Sequence, residues 1–196
     1  MPDDVMQRRL SGQALDSCML IDAVSDSAED VRHVTLYFDN RISPKDVEGP
    51  EGSTLVATKS IGDGPILTFA VPDGTPPRFA ISGAPVAVAP GQANYEIYDG
   101  INCYASVRNG ESPETVVAWL AYHVAHHELE GVVLLDRANP DAKDGFARDL
   151  QAAMIAQGLA LPVLILSSDL PLGQPGQPPE AHPFSVPGAP GKDRMK

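Results

Sequence analysis

The chain has 196 residues, of which 43% are hydrophobic, so it can form one ordinary domain or two small ones with a real core. Its 14 basic and 26 acidic residues give a formal net charge of −12, which argues against a nucleic-acid groove or an anionic membrane surface as partner. Because no apolar run approaches the ~20 residues of a membrane span or forms a signal peptide at the N-terminus, we expect a cytoplasmic protein.

Composition divides the chain into four segments. Residues 1–16 are predicted to be an N-terminal tail, and residues 17–99 a β-rich domain of short apolar runs separated by Gly, Pro and Asp. Residues 100–169 alternate between predicted strands and helices, which indicates a partial α/β domain. Residues 170–196 are rich in Pro and Gly and are predicted to be a loop or linker.

The β-rich domain is expected to be antiparallel. Val34, Leu36 and Phe38 alternate with Thr and Tyr, which is typical of a strand with one buried face. Asp63-Gly64 lies between two β-rich runs and predicts a hairpin turn. This domain shows no recognisable catalytic arrangement.

The two cysteines, Cys18 and Cys103, lie far apart in predicted strands. Reduced, buried thiols explain this arrangement better than a disulfide framework, and it implies no redox role.

The α/β segment begins with a predicted strand that ends near Arg108. Ser112 is placed to cap a helix whose first position is Pro113 and which runs to about His127. A strand at residues 132–135, a helix at about 141–157 with Gly158 as C-cap, and a strand at 162–166 follow. This β-α-β-α-β order is typical of half of a doubly wound, Rossmann-like sheet.

The predicted site lies at the carboxyl ends of these strands, where open α/β sheets bind ligands. One strand is followed by the loop Arg108-Asn109-Gly110-Glu111, and the next ends at Asp136, with Asp141 in its loop. The alternative interpretation of these residues is an ordinary transition from strand to loop, since polar residues end most strands.

The run from Val107 to Asp141, VRNGESPETVVAWLAYHVAHHELEGVVLLDRANPD, resembles the opening of family 2-like glycosyltransferases of the GT-A fold. In one subgroup the first strand ends in Arg or Lys, Asn and Glu, a helix with Trp-x-x-Tyr-His follows, and the next strand ends in Asp. Trp119-Leu120-Ala121-Tyr122-His123 is similar to that helix.

The resemblance implies a pocket for the base and ribose of a nucleotide sugar. Arg108, Asn109 and Asp136 would line this pocket. Asp141 would be the second acid of the family's Asp-x-x-x-x-Asp loop. Gly110 stands where the family has Glu after Asn, so Glu111, one residue later, would take the role of that Glu. The partners implied are a nucleotide sugar and a glycan or lipid-linked acceptor, as in polysaccharide biosynthesis.

The resemblance also implies a divalent cation, Mn²⁺ or Mg²⁺, for the full-length family member. Its Asp-x-Asp ligands follow a later strand, which we do not find in this chain. We therefore expect this chain to be the front part of a glycosyltransferase and to be inactive in transfer by itself, with no catalytic residue assigned.

Alternative functions need no transfer chemistry. The α/β segment could be a nucleotide-binding module, or the β-rich domain a carbohydrate-binding or interaction module with the α/β part as scaffold. The helical histidines His123, His126 and His127 suggest a metal site, but partly exposed helix ends commonly carry His and no His-Glu-x-x-His pattern is present. The absence of Gly-x-Gly-x-x-Gly, Walker and Gly-x-Ser-x-Gly motifs argues against dinucleotide, ATP and hydrolase functions.

Overall fold

The structure, a computed structural model, describes residues 5–28, 31–39, 42–62, 64–137 and 145–168. The chain divides into two compact units: an α/β unit of Met1–Arg9 and Ile97–Lys196, and a β unit of Leu10–Glu96. The described part contains strands and two α-helices with these bounds: β1 Val5–Arg9, β2 Gln13–Ala14, β3 Met19–Ala28, β4 Val31–Phe38, β5 Val47–Glu48, β6 Thr54–Ile61, β7 Gly64–Pro72, β8 Arg78–Ile81, β9 Ala84–Ala87, β10 Gly91–Gln92, β11 Cys103–Arg108, α1 Pro113–His127, β12 Gly131–Asp136, α2 Phe146–Ala156 and β13 Val163–Ser167.

The β unit contains a six-stranded sheet and a three-stranded sheet. The larger sheet has the order β10-β3-β4-β7-β6, with β2 paired to β3, and the smaller has the order β5-β8-β9. All pairs are antiparallel except β10 with β3, so the predicted antiparallel unit carries one parallel pair.

The core of the β unit follows the predicted period of two. Val34, Leu36 and Phe38 of β4 are buried, and Phe69 of β7 meets Phe79 of β8 edge to face with ring centroids 5.3 Å apart. The predicted hairpin between β6 and β7 is confirmed, with its turn one residue earlier, because the register pairs residue 61 with residue 64.

The α/β unit contains a parallel four-stranded sheet of order β1-β13-β12-β11. The predicted β-α-β-α-β order is present, and the chain is of mixed α/β class. In one half of a doubly wound sheet, right-handed crossovers that run in one direction place their helices on the same face. Here α1 and α2 share one hydrophobic core with the same set of alternating strand residues, so the described helices cover a single face.

The N-terminus differs from the prediction of a tail at residues 1–16. Val5–Arg9 pairs in parallel with β13, and Gln13–Ala14 pairs with β3. The β unit is therefore inserted between the first and second strands of the α/β sheet in chain order. The predicted linker at residues 170–196 lies outside the described residues.

Helix α1 starts as predicted. The Ser112 side chain accepts a hydrogen bond from the Thr115 N–H at 3.3 Å, and Pro113 occupies the first turn. Helix α2 begins at Phe146, after its N-cap residue Gly145, and so later than the predicted start at about residue 141; its C-cap residue is Gln157, and the predicted C-cap Gly158, with φ of 66°, follows directly. Neither helix of the described part is long and apolar enough to cross a bilayer.

Candidate functional site

The carboxyl edge of the α/β sheet brings two predicted residues together. Arg108 is the last residue of β11 and Asp136 the last of β12, and the parallel register pairs them directly. Both are buried, with Arg108 8% exposed and Asp136 fully enclosed. Because buried charges are costly unless they are paired, these two positions form the electrostatic centre of the edge.

The Arg108 guanidinium is held on three sides. Its Nη1 donates to both carboxylate oxygens of Asp136, at 2.9 and 2.8 Å. Its Nε donates to the Glu111 carbonyl oxygen at 2.9 Å, and its Cζ lies 3.6 Å from the ring centroid of Phe146. The ion pair, the backbone contact and the cation–π contact together fix the guanidinium at the edge.

The loop after β11 folds back on itself at this edge. The Asn109 N–H donates to a carboxylate oxygen of Glu111 at 2.6 Å, and both residues are exposed. Ser112 then caps α1, and hydrogen bonding to Ser112 lowers the pKa of the Glu114 carboxyl. Asn109 and Glu111 therefore lie beside Arg108 as accessible polar groups, whereas the fifth predicted residue, Asp141, lies outside the described residues.

A cavity of about 160 Å³ lies between β11 and the first turns of α1. Polar and apolar residues line it in equal numbers: Ser106, Arg108, Glu111, Thr115, Val107, Val116, Trp119 and Leu134. Trp119 also packs against the core of the α/β unit. The cavity thus joins the predicted polar loop to an apolar wall.

Two further residues at this edge escaped sequence reasoning. Ser167 ends β13 and pairs in register with Asp136 on one side and with Arg9 of β1 on the other. Ser167 is fully buried, and its hydroxyl makes no hydrogen bond within the described part of the chain. The sequence signal that could have identified Ser167 is a polar residue at the end of an apolar run. The sequence around Arg9 carries no comparable signal, because only the pairing of β1 with β13 brings Arg9 to the edge.

The described residues do not fit a divalent cation. They bring no three His, Cys, Asp or Glu side chains into an arrangement that could hold a metal. His123 instead packs between rings, 4.6 Å from Trp119 and 5.2 Å from Tyr104 by centroids, and it lies 5.0 Å from His127. The described polar groups at the carboxyl edge are guanidinium groups, a hydroxyl, and carboxylates that already accept hydrogen bonds.

The cysteines lie in different units. Cys18 is buried in the β unit and Cys103 is half-buried at the start of β11, and both are free thiols. Burial raises the pKa of the Cys103 thiol, which disfavours a reactive thiolate.

Comparisons of the chain with protein-family models, with curated proteins and with solved structures find no match.

Proposed function

We propose that the α/β unit binds a nucleotide sugar at the carboxyl edge of its sheet and serves in the transfer of the sugar to a glycan or lipid-linked acceptor. The observation that carries the proposal is the enclosed Arg108–Asp136 pair, which stands at the strand ends and is flanked by the exposed loop residues Asn109 and Glu111. The resemblance of residues 107–141 to the opening of GT-A glycosyltransferases supports the same assignment.

Different residues of the edge would contact different parts of the nucleotide sugar. Asn109 and Glu111 offer an amide and a carboxylate to the hydroxyl and base-edge groups of a nucleoside. The Asp136 carboxylate holds the Arg108 guanidinium in place, so that a ligand meets a preorganised donor. The adjoining cavity of about 160 Å³, with Trp119 and Val116 in its wall, suits a planar ring such as a base.

Sugar transfer breaks the bond between the anomeric carbon and the diphosphate oxygen, and the acceptor oxygen bonds to that carbon as its proton passes to a base. The nucleoside diphosphate leaves with the electron pair of the broken bond. We assign binding of the nucleoside to the residues above and assign no base.

The test is calorimetric titration of the full chain with uridine, cytidine, adenosine and guanosine diphosphates. We expect one of them to bind and Asn109→Ala to weaken its binding about two- to tenfold, the size expected for one hydrogen bond. The matched control is Gln157→Ala, which removes an exposed side-chain amide beyond the far end of α2. Its affinity should equal that of the wild type.

Two results would overturn the proposal. One is that none of the four diphosphates binds; the other is that Asn109→Ala and Gln157→Ala leave the affinity equally unchanged. Incubation of the chain with an acceptor and the sugar conjugate of the diphosphate that binds then tests transfer. Release of the sugar to the acceptor supports transfer by this chain, whereas binding without release is the result expected of a chain that is inactive in transfer by itself and leaves a non-catalytic nucleotide-binding module as the alternative.

A further inference from the structure

Basic residues gather at the carboxyl edge of the α/β sheet although the protein is strongly acidic. Among the described residues, five arginines lie at this edge: Arg8 and Arg9 at the end of β1, Arg108 at the end of β11, Arg137 directly after β12, and Arg148 in the first turn of α2. The net charge of −12 gives no reason for such a concentration, so it marks a local preference for an anion.

The register aligns part of this group in one row. Arg9 pairs with Ser167, Ser167 with Asp136, and Asp136 with Arg108. Residues paired in a parallel sheet point to the same face, and neighbouring strands lie about 4.8 Å apart. The two arginine Cα atoms are therefore roughly 14 Å apart, a gap that two long side chains can close around a small anion.

Among the described residues of the edge, the carboxylates of Asp136 and Glu111 are already in contact with donors. The Asp136 carboxylate binds the Arg108 guanidinium, and the Glu111 carboxylate accepts the Asn109 N–H. Arg148, which is 80% exposed, pairs with Asp149. The first turns of α1 and α2 also face this edge, and the positive ends of their dipoles add to the attraction for an anion.

Ser167 supplies a second, independent sign of a ligand. Its hydroxyl is fully enclosed and has no hydrogen-bond partner among the described residues, which is costly for a polar group. It stands in the row between Arg9 and Asp136. An anion bound by the row would give this hydroxyl an acceptor.

We propose that the row Arg9, Ser167 and Arg108 binds the diphosphate of the ligand, with Arg9 of the N-terminal strand as its principal cation. The inference rests on the proposed nucleotide-sugar function and deepens it, since guanidinium groups then bear the charge of the diphosphate at this edge. It also gives β1 a function beyond completing the sheet.

The experiment is calorimetric titration of the full chain with inorganic pyrophosphate in the presence of EDTA, together with a separate titration with uridine. We expect pyrophosphate to bind without metal and Arg9→Gln to weaken it about tenfold, the size of a charge-assisted hydrogen bond. Arg9→Lys keeps the charge and should restore part of the affinity. The matched control, Arg78→Gln, makes the same charge change at an exposed position of the β unit and should leave the affinity unchanged.

Ser167→Ala tests the hydroxyl separately and should weaken pyrophosphate binding about two- to tenfold. Pyrophosphate binding that requires added Mg²⁺, or equal weakening by Arg9→Gln and Arg78→Gln, would overturn the inference. If a nucleoside diphosphate binds but pyrophosphate does not, the proposed function stands and the inference falls. If pyrophosphate binds with the expected Arg9 dependence while all nucleoside diphosphates bind no better, the anion site stands and the nucleotide function falls.

Discussion

The two units of this chain bury polar side chains in different ways. Within the described residues the β unit encloses one such side chain, Asp22, which accepts the Ser11 N–H at 2.9 Å. The α/β unit encloses three, Arg108, Asp136 and Ser167, and all three are the last residues of adjacent parallel strands. One unit thus buries a polar group for local structure, whereas the other gathers three at the edge where open α/β sheets in general bind ligands.

The difference concerns the hydrogen-bonding partners of the enclosed polar groups. An enclosed polar group costs free energy unless it is paired, and of these three only the Ser167 hydroxyl has no hydrogen-bond partner among the described residues. The ligand proposed above would give that hydroxyl a partner. The β unit, whose enclosed carboxylate has a backbone partner, gives no such indication.

The largest effect is expected for Asp136→Ala, which tests whether the two units differ in the cost of their enclosed polar groups. The substitution leaves the enclosed Arg108 guanidinium without its carboxylate, so we expect the free energy of unfolding of the α/β unit to fall by about 3–5 kcal/mol. Denaturant unfolding, monitored by hydrogen exchange of the amides in β11 to β13, measures this loss of free energy. Asp22→Asn, which keeps an oxygen for the Ser11 N–H, should cost the β unit about 1 kcal/mol. Equal losses would show that the two units bury charge at the same cost.

A pair of glycine substitutions tests whether the units are separate in stability. A Cβ at Gly131 would lie 2.9 Å from Cδ1 of Ile101, and a Cβ at Gly49 would lie 2.7 Å from Cδ1 of Phe69. Each Gly→Ala change should cost its own unit about 1–3 kcal/mol through overpacking. Hydrogen exchange should show lost protection in β12 but not β4 for Gly131→Ala, and the reverse for Gly49→Ala. Loss in both units from one change would contradict the division.

Local patterns predicted much of the fold because local forces decide those parts. The period of two in β4 and the cap at Ser112 each depend on residues a few positions apart, and both are found where the sequence places them. The meeting of Arg108 and Asp136 also followed from sequence, since parallel strands joined by a helix end at the same edge.

The rest depended on contacts between distant parts of the chain. Val5–Arg9 has no apolar run of its own, and it becomes a strand only by pairing with β13, which lies more than a hundred residues away. Without that pairing Arg9 could not be placed at the site, and Ser167 could not be placed between Arg9 and Asp136. The single-sided helix layer likewise depends on how the strands are ordered, which no local pattern specifies.

Removal of one hydroxyl should change the free energy of unfolding in opposite directions in the two units. Ser167→Ala removes an enclosed hydroxyl that has no partner among the described residues, so we expect it to raise the free energy of unfolding by about 1 kcal/mol. Thr35→Val in the β unit removes a hydroxyl that lies 3.0 Å from that of Thr68, and it should lower stability by about 1 kcal/mol. Thermal unfolding of the unliganded proteins measures both. A loss of stability for Ser167→Ala would remove the argument that this hydroxyl is kept for a ligand.

The smallest expected effect is a dependence on alkaline pH that belongs to the α/β unit. Tyr98 donates its hydroxyl to the Val132 carbonyl oxygen at 3.2 Å, and burial, followed by the charge of Cys103, raises its pKa to about 12 from the ordinary value of 10.0. Because the folded state holds this proton more tightly, the stabilisation is complete below pH 10 and is lost as the pH rises to about 12. Tyr98 is only partly buried, so solvent screening reduces the effect to about 1 kcal/mol. Tyr98→Phe should flatten the change in stability between these two pH values, as measured by hydrogen exchange in β12 relative to β4. An unchanged slope in the variant would show that other groups cause the alkaline loss.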